Sequence, residues 1–308
     1  MRLAKPEGPS ETRSSASFVS DAAIGRGPDL RIFQFGCGNM GGAMLAGWLA
    51  GGFDPAAFTV IDPYLAAAPP GVRLLDVAPF TGREVSGADS GADSGADVVL
   101  LGFKPHQLGT AAPAVAPLIG HTTLVLSILA GVDLATLRAT FPQAGAIVRV
   151  MPNLAAALGK SPIALFGDAM GAARDRTDAL MVPLGQAEWL AHEADMDLVT
   201  ALAGSGPAFV YRFIDALAGG AAALGLPREQ ADRLALAMVE GAAQLAAASP
   251  HSPAELARRV ASPGGVTQVG LDVLDADARL ATLIEDTLKG ARDRSAQMTA
   301  EAIRALKT

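Results

Sequence analysis

A glycine-rich turn between a short apolar segment and a helical pattern constrains the fold of this chain more than any other feature. Residues 31–35 (RIFQF) have the apolar pattern of a buried strand, and residues 40–51 carry apolar side chains at helical spacing. The intervening segment, 36–41 (GCGNMG), matches the G-x-G-x-x-G pattern. Glycines there allow a tight turn and let the backbone approach a pyrophosphate at the helix N-terminus. The sequence therefore predicts a strand, a turn and a helix that bind a dinucleotide.

Asp62 supports this interpretation because it follows the next apolar segment, 58–61, and lies 26 residues after Gly36. An acidic side chain at that distance hydrogen-bonds a ribose 2′-hydroxyl and repels a 2′-phosphate, so NADH is favoured over NADPH. The alternative is a glycine-rich turn without a ligand, in which Asp62 caps the next loop. Cys37 is expected to be a packing residue. The predicted cofactor contacts of this region are Gly36, Gly38, Asn39, Met40, Gly41 and Asp62.

The order of the remaining segments predicts an α/β fold. Further buried strands are expected at 98–101, 123–127 and 147–150. Their alternation with helical segments predicts parallel pairing in a Rossmann-like doubly wound sheet. After about residue 194 the strand pattern stops. We therefore expect a dinucleotide-binding domain at 30–194 and an all-α domain at 195–308. Within the latter, helices are predicted at 198–225, 228–248, 253–260 and 264–306.

Two segments are predicted to lie outside the packed domains. Residues 1–29 have few large apolar side chains, so burial cannot offset the entropy of ordering them, and we expect a disordered tail. They also lack the basic start and apolar core of a secretory signal. Residues 86–97 repeat Ser-Gly-Ala-Asp three times. Such small side chains predict a solvated linker rather than an acidic docking element.

Charge and cysteine content exclude several functional classes. The 308 residues include 24 Lys and Arg against 31 Asp and Glu, so no basic excess draws the chain to nucleic acid or anionic lipid. One cysteine excludes a disulfide framework and a cysteine-based zinc site, and the histidines lack metal-ligand spacing. No apolar run approaches the roughly 18 residues of a membrane span. We expect a cytoplasmic protein that binds no metal, membrane or nucleic acid.

Two further turns follow predicted strands, at the edge where parallel sheets bind ligands. Lys104 and Pro105 come soon after the segment 98–101, and Lys104 either contacts the cofactor or is an exposed turn lysine. His106 has the chemistry of a general acid, but we expect a surface histidine. Asn153 ends the run RVMPN, where it either orients the nicotinamide amide or forms a turn after proline.

The run 262–267 (SPGGVT) predicts an anion site at a helix start. Ser262 before a proline is typical of an N-cap and first turn, and two bare glycines leave backbone N–H groups accessible. A carboxylate fits there, and Thr267 places a hydroxyl beside whatever carries it. The alternative is ordinary capping. The run 203–207 (AGSGP) starts an earlier helix in the same way.

In this order, the motifs resemble the pyrroline-5-carboxylate reductase family. The resemblance implies a Rossmann domain, a helical domain that dimerises by interlocking helices, and often a ring of dimers. It also implies hydride transfer from NAD(P)H to the C=N bond of 1-pyrroline-5-carboxylate, giving L-proline, the last step of proline biosynthesis. The matching runs are GCGNMGGAM (36–44), FKP (103–105), RVMPN (149–153), ALAGSGPA (201–208) and SPGGVT (262–267).

The resemblance also assigns roles by position. The glycine turn and Lys104 serve the cofactor, and the hydroxyl of Thr267 is the candidate catalytic group, bonded to the ring nitrogen. A protonated cyclic imine is already an electrophile, so alignment is the main requirement and no acid–base pair is needed. The chain departs from the family at Leu154-Ala155, where Thr-Pro is usual, and many members prefer NADPH. The implied substrate-binding residues are Ser262, Gly264, Gly265, Val266 and Thr267.

Other functions stay open on the sequence. A β-hydroxyacid dehydrogenase shares the plan, but that chemistry uses a lysine on the first helix of the second domain, and residues 209–213 (FVYRF) contain none. A flavin-analogue-dependent NADP reductase would lack the long helical domain. A non-catalytic dinucleotide-binding regulatory protein would bind the cofactor without imine-dependent oxidation.

Overall fold

The computed structural model of the chain describes residues 30–75 and 95–306. The predicted tail and most of the Ser-Gly-Ala-Asp repeat lie outside these residues. Among the described residues, eight strands form one sheet in the order β3-β2-β1-β4-β5-β6-β7-β8. All neighbours are parallel except the antiparallel pair β6–β7. The strands are β1 Ile32–Phe35, β2 Phe58–Ile61, β3 Arg73–Leu75, β4 Val98–Leu101, β5 Leu124–Ser127, β6 Ala146–Met151, β7 Ser161–Gly167 and β8 Gly185–Trp189.

The first six strands have the order of a dinucleotide-binding doubly wound sheet, which confirms the predicted fold class. Among the described residues, helices connect β1 to β2, β4 to β5 and β5 to β6, a loop connects β2 to β3, and only helices follow β8. The helices of the sheet region are α1 Asn39–Ala50, α2 Leu108–Val115, α3 Leu134–Thr140 and α4 Ala172–Met181. Those of the helical region are α5 Asp195–Val199, α6 Gly206–Ala223, α7 Arg228–Ala248, α8 Pro253–Val260, α9 Val266–Asp275 and α10 Arg279–Leu306.

Two of the four predicted C-terminal helices are confirmed, α7 and α8. The prediction of unbroken helices at 198–225 and 264–306 is wrong. The first is divided by a π-helical turn, Thr200–Gly204, which separates α5 from α6. The second is divided at residues 276–278, where Asp277 has a φ of 55°, a left-handed backbone that no helix tolerates.

Helices cover both faces of the sheet. All four residues of β4 are buried, and they alternate between two apolar clusters. Val98 and Leu100 pack in the cluster that contains Trp48 of α1, whereas Val99 and Leu101 pack in the cluster that contains Leu108 of α2. A parallel strand buried on both faces reads as an unbroken apolar run, which is why VVLL could be recognised in the sequence.

The end of the Ser-Gly-Ala-Asp repeat is part of the sheet region. Ala96 is buried, and its carbonyl accepts the hydroxyl of Thr123. The carboxylate of Asp97 accepts the backbone N–H of Arg31 at 2.9 Å, next to β1. The prediction of a solvated linker is therefore wrong for residues 95–97, because they lead directly into β4.

The helical region buries little of its apolar surface within one chain. Its buried apolar cluster consists of Ala218, Ala231 and Ala235. Large apolar side chains of several helices are exposed to solvent in the single chain. They include Leu234, Leu236 and Met238 of α7, Val266, Val269 and Val273 of α9, and Leu283 and Ile284 of α10. No helix within the described ranges is both long and apolar enough to cross a membrane.

Trp48 anchors α1 to the sheet and generates the first prediction. Its ring is fully buried and stacks on Phe58 of β2 at a centroid distance of 5.6 Å, and its Nε1 donates to the carbonyl of Leu180 at 2.7 Å. Trp48→Phe removes the donor and leaves a cavity, so we expect a loss of about 2 kcal/mol in the free energy of unfolding. Urea denaturation followed by far-UV circular dichroism measures it.

The matched control is Trp189→Phe at the outer edge of the sheet. Trp189 is only partly buried, and its Nε1 donates to Asp178 at 2.7 Å. This variant should lose about 1 kcal/mol or less. Both variants are compared at one protein concentration because assembly contributes to stability. Equal losses for the two variants would contradict the anchoring role of Trp48.

Candidate active site

Backbone contacts between successive strand ends form the predicted glycine turn. Gly36 has a φ of 91°, and a Cβ built on it would lie 2.6 Å from the carbonyl carbon of Gly102, just after β4. A Cβ on Gly41 would lie 2.5 Å from the carbonyl oxygen of Gly36. The N–H of Gly36 donates to Ile61 of β2 at 2.9 Å. A side chain at Gly36 would push the turn away from the end of β4, and a side chain at Gly41 would push α1 away from the turn.

The turn opens on a cavity of about 570 Å³ at the carboxyl ends of β1, β2, β4 and β5. Gly38 caps α1, no side chain accepts hydrogen bonds from the first turn, and a Cβ on Gly38 would meet no atom within 4 Å. Free N–H groups at the positive end of a helix beside an open cavity fit a pyrophosphate. The cavity is lined by Gly36, Gly38, Asn39, Met40, Asp62, Pro63, Tyr64, Gly102, Phe103, Lys104, Pro105, Gln107, Ile128 and Ala130.

Asp62 lies on this cavity and also holds the turn. Its Oδ2 accepts the N–H of Cys37 at 2.6 Å, and its Oδ1 accepts the N–H of Tyr64 at 2.8 Å. A carboxylate has about four acceptor positions, so each oxygen keeps one for a ligand hydroxyl. The side chain predicted to contact the ribose is therefore fixed in place by the turn that would contact the pyrophosphate.

The structure agrees with a packing role for Cys37. Burial, and then the negative charge of Asp62, raise the pKa of the Cys37 thiol above its ordinary value. A thiol with a raised pKa stays protonated at neutral pH and is a poor nucleophile. Beside it, the amide Nε2 of buried Gln34 donates to the carbonyl of Gly36 at 3.1 Å, which fixes the turn from within the sheet.

Lys104 and Pro105 line the same cavity, and their contact with the cofactor stays a prediction. The backbone N–H of Lys104 donates to Oε1 of Gln107 at 2.9 Å, which closes a short 3-10 turn, and the lysine side chain is exposed. His106 is exposed within that turn and is not among the lining residues, so it is a surface histidine as expected.

Asn153 is not among the residues that line the cavity, and its side chain bonds within the protein, so its contact with the cofactor stays a prediction. Its Oδ1 accepts the N–H of Ala155 at 2.9 Å, and its Nδ2 donates to the carbonyl of Ala203 at 2.9 Å. The alternative, a turn-forming asparagine, describes half of its role. The hydrogen bond from its Nδ2 to the π-helical turn joins residues 50 positions apart, and the local sequence gives no sign of it.

The run 262–267 forms a helix start without a side-chain cap. The N–H of Gly265 donates to the carbonyl of Ser262 at 2.9 Å, and Gly264 has a φ of 70° with no atom within 4 Å of a built Cβ. Gly265 is the N-cap of α9, and no side chain bonds the free N–H groups of its first turn. The geometry fits the predicted anion site better than ordinary capping by Ser262.

The single chain does not join this helix start to the cofactor cavity. Ser262 and Gly264 are exposed, Thr267 is partly buried, and Val266 is 92% exposed. Every lining residue of the cavity comes from the sheet region. Within the described residues no group of three His, Cys, Asp or Glu side chains is placed to hold a metal.

Sequence reasoning missed part of the cavity wall. Tyr64, which is 83% exposed, lies at the rim, and Gln107 and Ile128 lie deeper along it. Tyr64 follows Asp62 by two residues, so its proximity to the acidic residue was the available signal. Ile128 comes directly after β5 and could have been found by applying the strand-end rule to that strand as well.

Comparisons with known proteins agree with this site. Residues 193–298 match the family model described as pyrroline-5-carboxylate reductase dimerisation. The chain is 36% identical over 272 residues to pyrroline-5-carboxylate reductase of Pseudomonas aeruginosa, covering 87% of this chain and 96% of that protein.

Solved structures show the same fold. A pyrroline-5-carboxylate reductase from Coxiella burnetii superposes with a TM-score of 0.76 at 28% identity, covering 87% of this chain and 98% of the other. The Plasmodium falciparum pyrroline carboxylate reductase with NADP bound superposes with a TM-score of 0.72 at 22% identity, covering 88% and 99%. The similarity covers nearly all of the described residues, and the chain therefore belongs to the pyrroline-5-carboxylate reductase family.

Proposed function

We propose that this chain reduces the C=N bond of 1-pyrroline-5-carboxylate with NAD(P)H and so forms L-proline, the last step of proline biosynthesis. The observation that carries the proposal is the pair of uncapped helix starts, one at the cofactor cavity and one at 262–267. The first fits a pyrophosphate and the second fits a carboxylate. The names of the relatives supply the identity of the imine.

The residues of this chain bind and orient the reactants. The first turn of α1 would hold the pyrophosphate of the dinucleotide, and Asp62 would hold its adenosine ribose. When bound, the reduced nicotinamide supplies a hydride. The N–H groups at the start of α9 would accept the substrate carboxylate, and the hydroxyl of Thr267 would hydrogen-bond the ring nitrogen. Alignment of an electrophilic imine carbon is the main contribution the protein needs to make.

A second copy of the chain is required to complete the site. The family model that matches residues 193–298 describes dimerisation, and the helical region exposes its apolar side chains in the single chain. We propose that dimerisation covers these side chains and places the 262–267 segment of one protomer over a cofactor cavity. A ring of such dimers follows from the family resemblance alone.

The division of the chain into a domain at 30–194 and one at 195–308 is likewise our proposal. It agrees with the end of β8 at Trp189 and the start of α5 at Asp195. We also propose a cytoplasmic location, which suits a chain whose single cysteine cannot form an internal disulfide.

The direct test follows loss of absorbance by NADH and NADPH in parallel, in the presence of 1-pyrroline-5-carboxylate, with proline quantified at the end. We expect imine-dependent oxidation with one proline formed per cofactor consumed. Cofactor binding without oxidation would instead support the non-catalytic dinucleotide-binding protein. If the reduced cofactor were oxidised with a carbonyl acid that yields a β-hydroxyacid, and not with the imine, the result would support the dehydrogenase alternative.

Thr267 is tested by a pair of substitutions. Thr267→Ala removes the hydroxyl and is expected to lower kcat about a hundredfold, the usual cost of losing one donor or acceptor at a reacting centre. Thr267→Ser keeps the hydroxyl and should retain most of the activity. Since Thr267 does not line the cofactor cavity, the NADH dissociation constant should stay unchanged in both. An unchanged kcat in Thr267→Ala would remove this residue from the mechanism.

Cofactor preference is tested at Asp62, where we propose that NADH is favoured. Asp62→Asn removes the charge that repels a 2′-phosphate and keeps an oxygen for one of the two backbone N–H groups that the carboxylate accepts. We expect the ratio of kcat/KM for NADH to that for NADPH to fall about tenfold, since this repulsion is worth 1–2 kcal/mol, roughly the size of a partly exposed charge interaction.

Asp62→Ala is the comparison variant. It also removes the acceptors of the Cys37 and Tyr64 N–H groups, so both cofactors should bind more weakly because the turn loosens. Steady-state kinetics with each cofactor measures both effects. A cofactor ratio that stays constant in Asp62→Asn would show that this carboxylate does not set the preference.

A further inference from the structure

The run 149–153 (RVMPN) bonds the sheet to the helical region. It occupies the carboxyl end of β6 and the two residues after it. Arg149 and Asn153 are both 7% exposed, and neither lines the cofactor cavity. The side chain of each one donates instead to residues 190–205, the connection that leads from the end of β8 through α5 to the start of α6.

The bond from Arg149 is an ion pair at the start of that connection. Its Nη1 donates to Oε1 of Glu193 at 2.7 Å, and the arginine side chain is only 9% exposed. The same oxygen of Glu193 accepts the backbone N–H of Leu134 at 2.7 Å, at the start of α3. One carboxylate oxygen therefore joins β6, α3 and the residues that precede α5.

The bond from Asn153 is made at the end of the connection. Its Nδ2 donates to the carbonyl of Ala203 within the π-helical turn, and its backbone N–H donates to Ser161 of β7 at 2.9 Å. The hydrogen bond between residues five apart that defines a π-helical turn runs from the N–H of Ser205 to the carbonyl of Thr200 at 2.9 Å. The turn that begins α6 is thus held directly against the end of β6.

The last helix returns to the same edge of the sheet. Ser295 of α10 donates to Oδ1 of Asp197 in α5 at 2.7 Å. A Cβ on Gly131, which follows β5, would lie 3.1 Å from Cα of Thr299, so the backbones touch there. Residues 105–107 beside the cofactor cavity also pack against α10. The helical region is therefore fixed from two sides at the edge where the cofactor binds.

We infer that Arg149 and Asn153 are positioning residues, which set the placement of the helical region, and with it the substrate segment 262–267, relative to the cofactor cavity. The inference rests on the proposed reductase function. It applies whichever protomer supplies the substrate segment, because each helical region is attached to its own sheet by these bonds. A displacement of about 1 Å between reacting groups is enough to lower a rate about a hundredfold.

The chain supplies a matched control at the opposite end of β6. Arg138 pairs with Oδ2 of Asp168 at 2.5 Å, and Oδ1 of Asp168 accepts the backbone N–H of Ile147 at 2.7 Å. Like the Arg149 pair, it joins an arginine to a carboxylate that also accepts a backbone N–H, but the Arg138 side chain is 34% exposed and also donates to the carbonyl of Ala144. It joins elements of the sheet region alone, so its loss should not move the helices.

The test compares Arg149→Met with Arg138→Met. For Arg149→Met we expect kcat to fall at least tenfold, an NADH dissociation constant within twofold of the original, and a larger primary isotope effect with NADH deuterated at C4. For Arg138→Met we expect a lower melting temperature with kcat and the isotope effect unchanged. Glu193→Gln should reproduce the effect of Arg149→Met in part, and the double variant should add little to it.

A second variant, Asn153→Asp, tests the same role if Arg149→Met does not fold. Asn153→Asp has nearly the same shape and keeps the acceptor for Ala155, but it sets an oxygen against the carbonyl of Ala203. It should lower kcat with the same isotope signature. Amide hydrogen exchange of residues 195–206 should be faster in either folded variant and unchanged in Arg138→Met, a readout that does not depend on turnover.

The outcomes separate the inference from the proposed function. If the unaltered protein does not reduce the imine, the proposed function fails, and the positioning role is then judged by the exchange of residues 195–206. If the unaltered protein is active and a folded Arg149→Met or Asn153→Asp keeps its kcat and isotope effect, the inference is wrong. Equal losses of kcat in Arg149→Met and Arg138→Met would also contradict it.

Discussion

The approach of the Gly36 backbone to the Gly102 backbone is the constraint on which the rest of the site depends. A Cβ at Gly36 would lie 2.6 Å from Gly102, so only glycine lets the ends of β1 and β4 meet this closely. That contact places the start of α1 at the point where the strand order reverses, beside β2 and Asp62. The cofactor cavity opens beside this contact, the turn at Lys104 lines it, and α10 packs against residues 105–107 of that turn.

The parts predicted from the sequence are those that local chemistry determines. The glycine turn, the buried run of β4 and the helix start at 262–267 each carry their own signal within a few residues. Parallel pairing in a doubly wound sheet was predicted from the alternation of strand and helix patterns, but no strand was predicted at β3 or β7. Asp62 was found because the distance from the turn to the next strand end is nearly constant in such units.

The parts that were not predicted depend on contacts between distant residues. The side chain of Asn153 is bonded to Ala203, and nothing in the run RVMPN reveals that partner. The strand β8 (GQAEW) is half-buried with a weak apolar pattern, so it could not be told from a loop. The break at Asp277 arises in a segment with strong helical periodicity, and the apolar side chains of α9, which helical periodicity predicts to be buried, are exposed in the single chain.

The central claim is that a cofactor bound at Gly36–Gly41 and a substrate bound at 262–267 meet across an assembled protein. A crystal structure of the complex with reduced cofactor and L-proline, a pair that cannot react, tests it most directly. We expect a dimer with the proline carboxylate on the N–H groups at the start of α9, and its ring carbon about 3–3.5 Å from the nicotinamide C4. A proline bound elsewhere, or one out of reach of the nicotinamide, would contradict it.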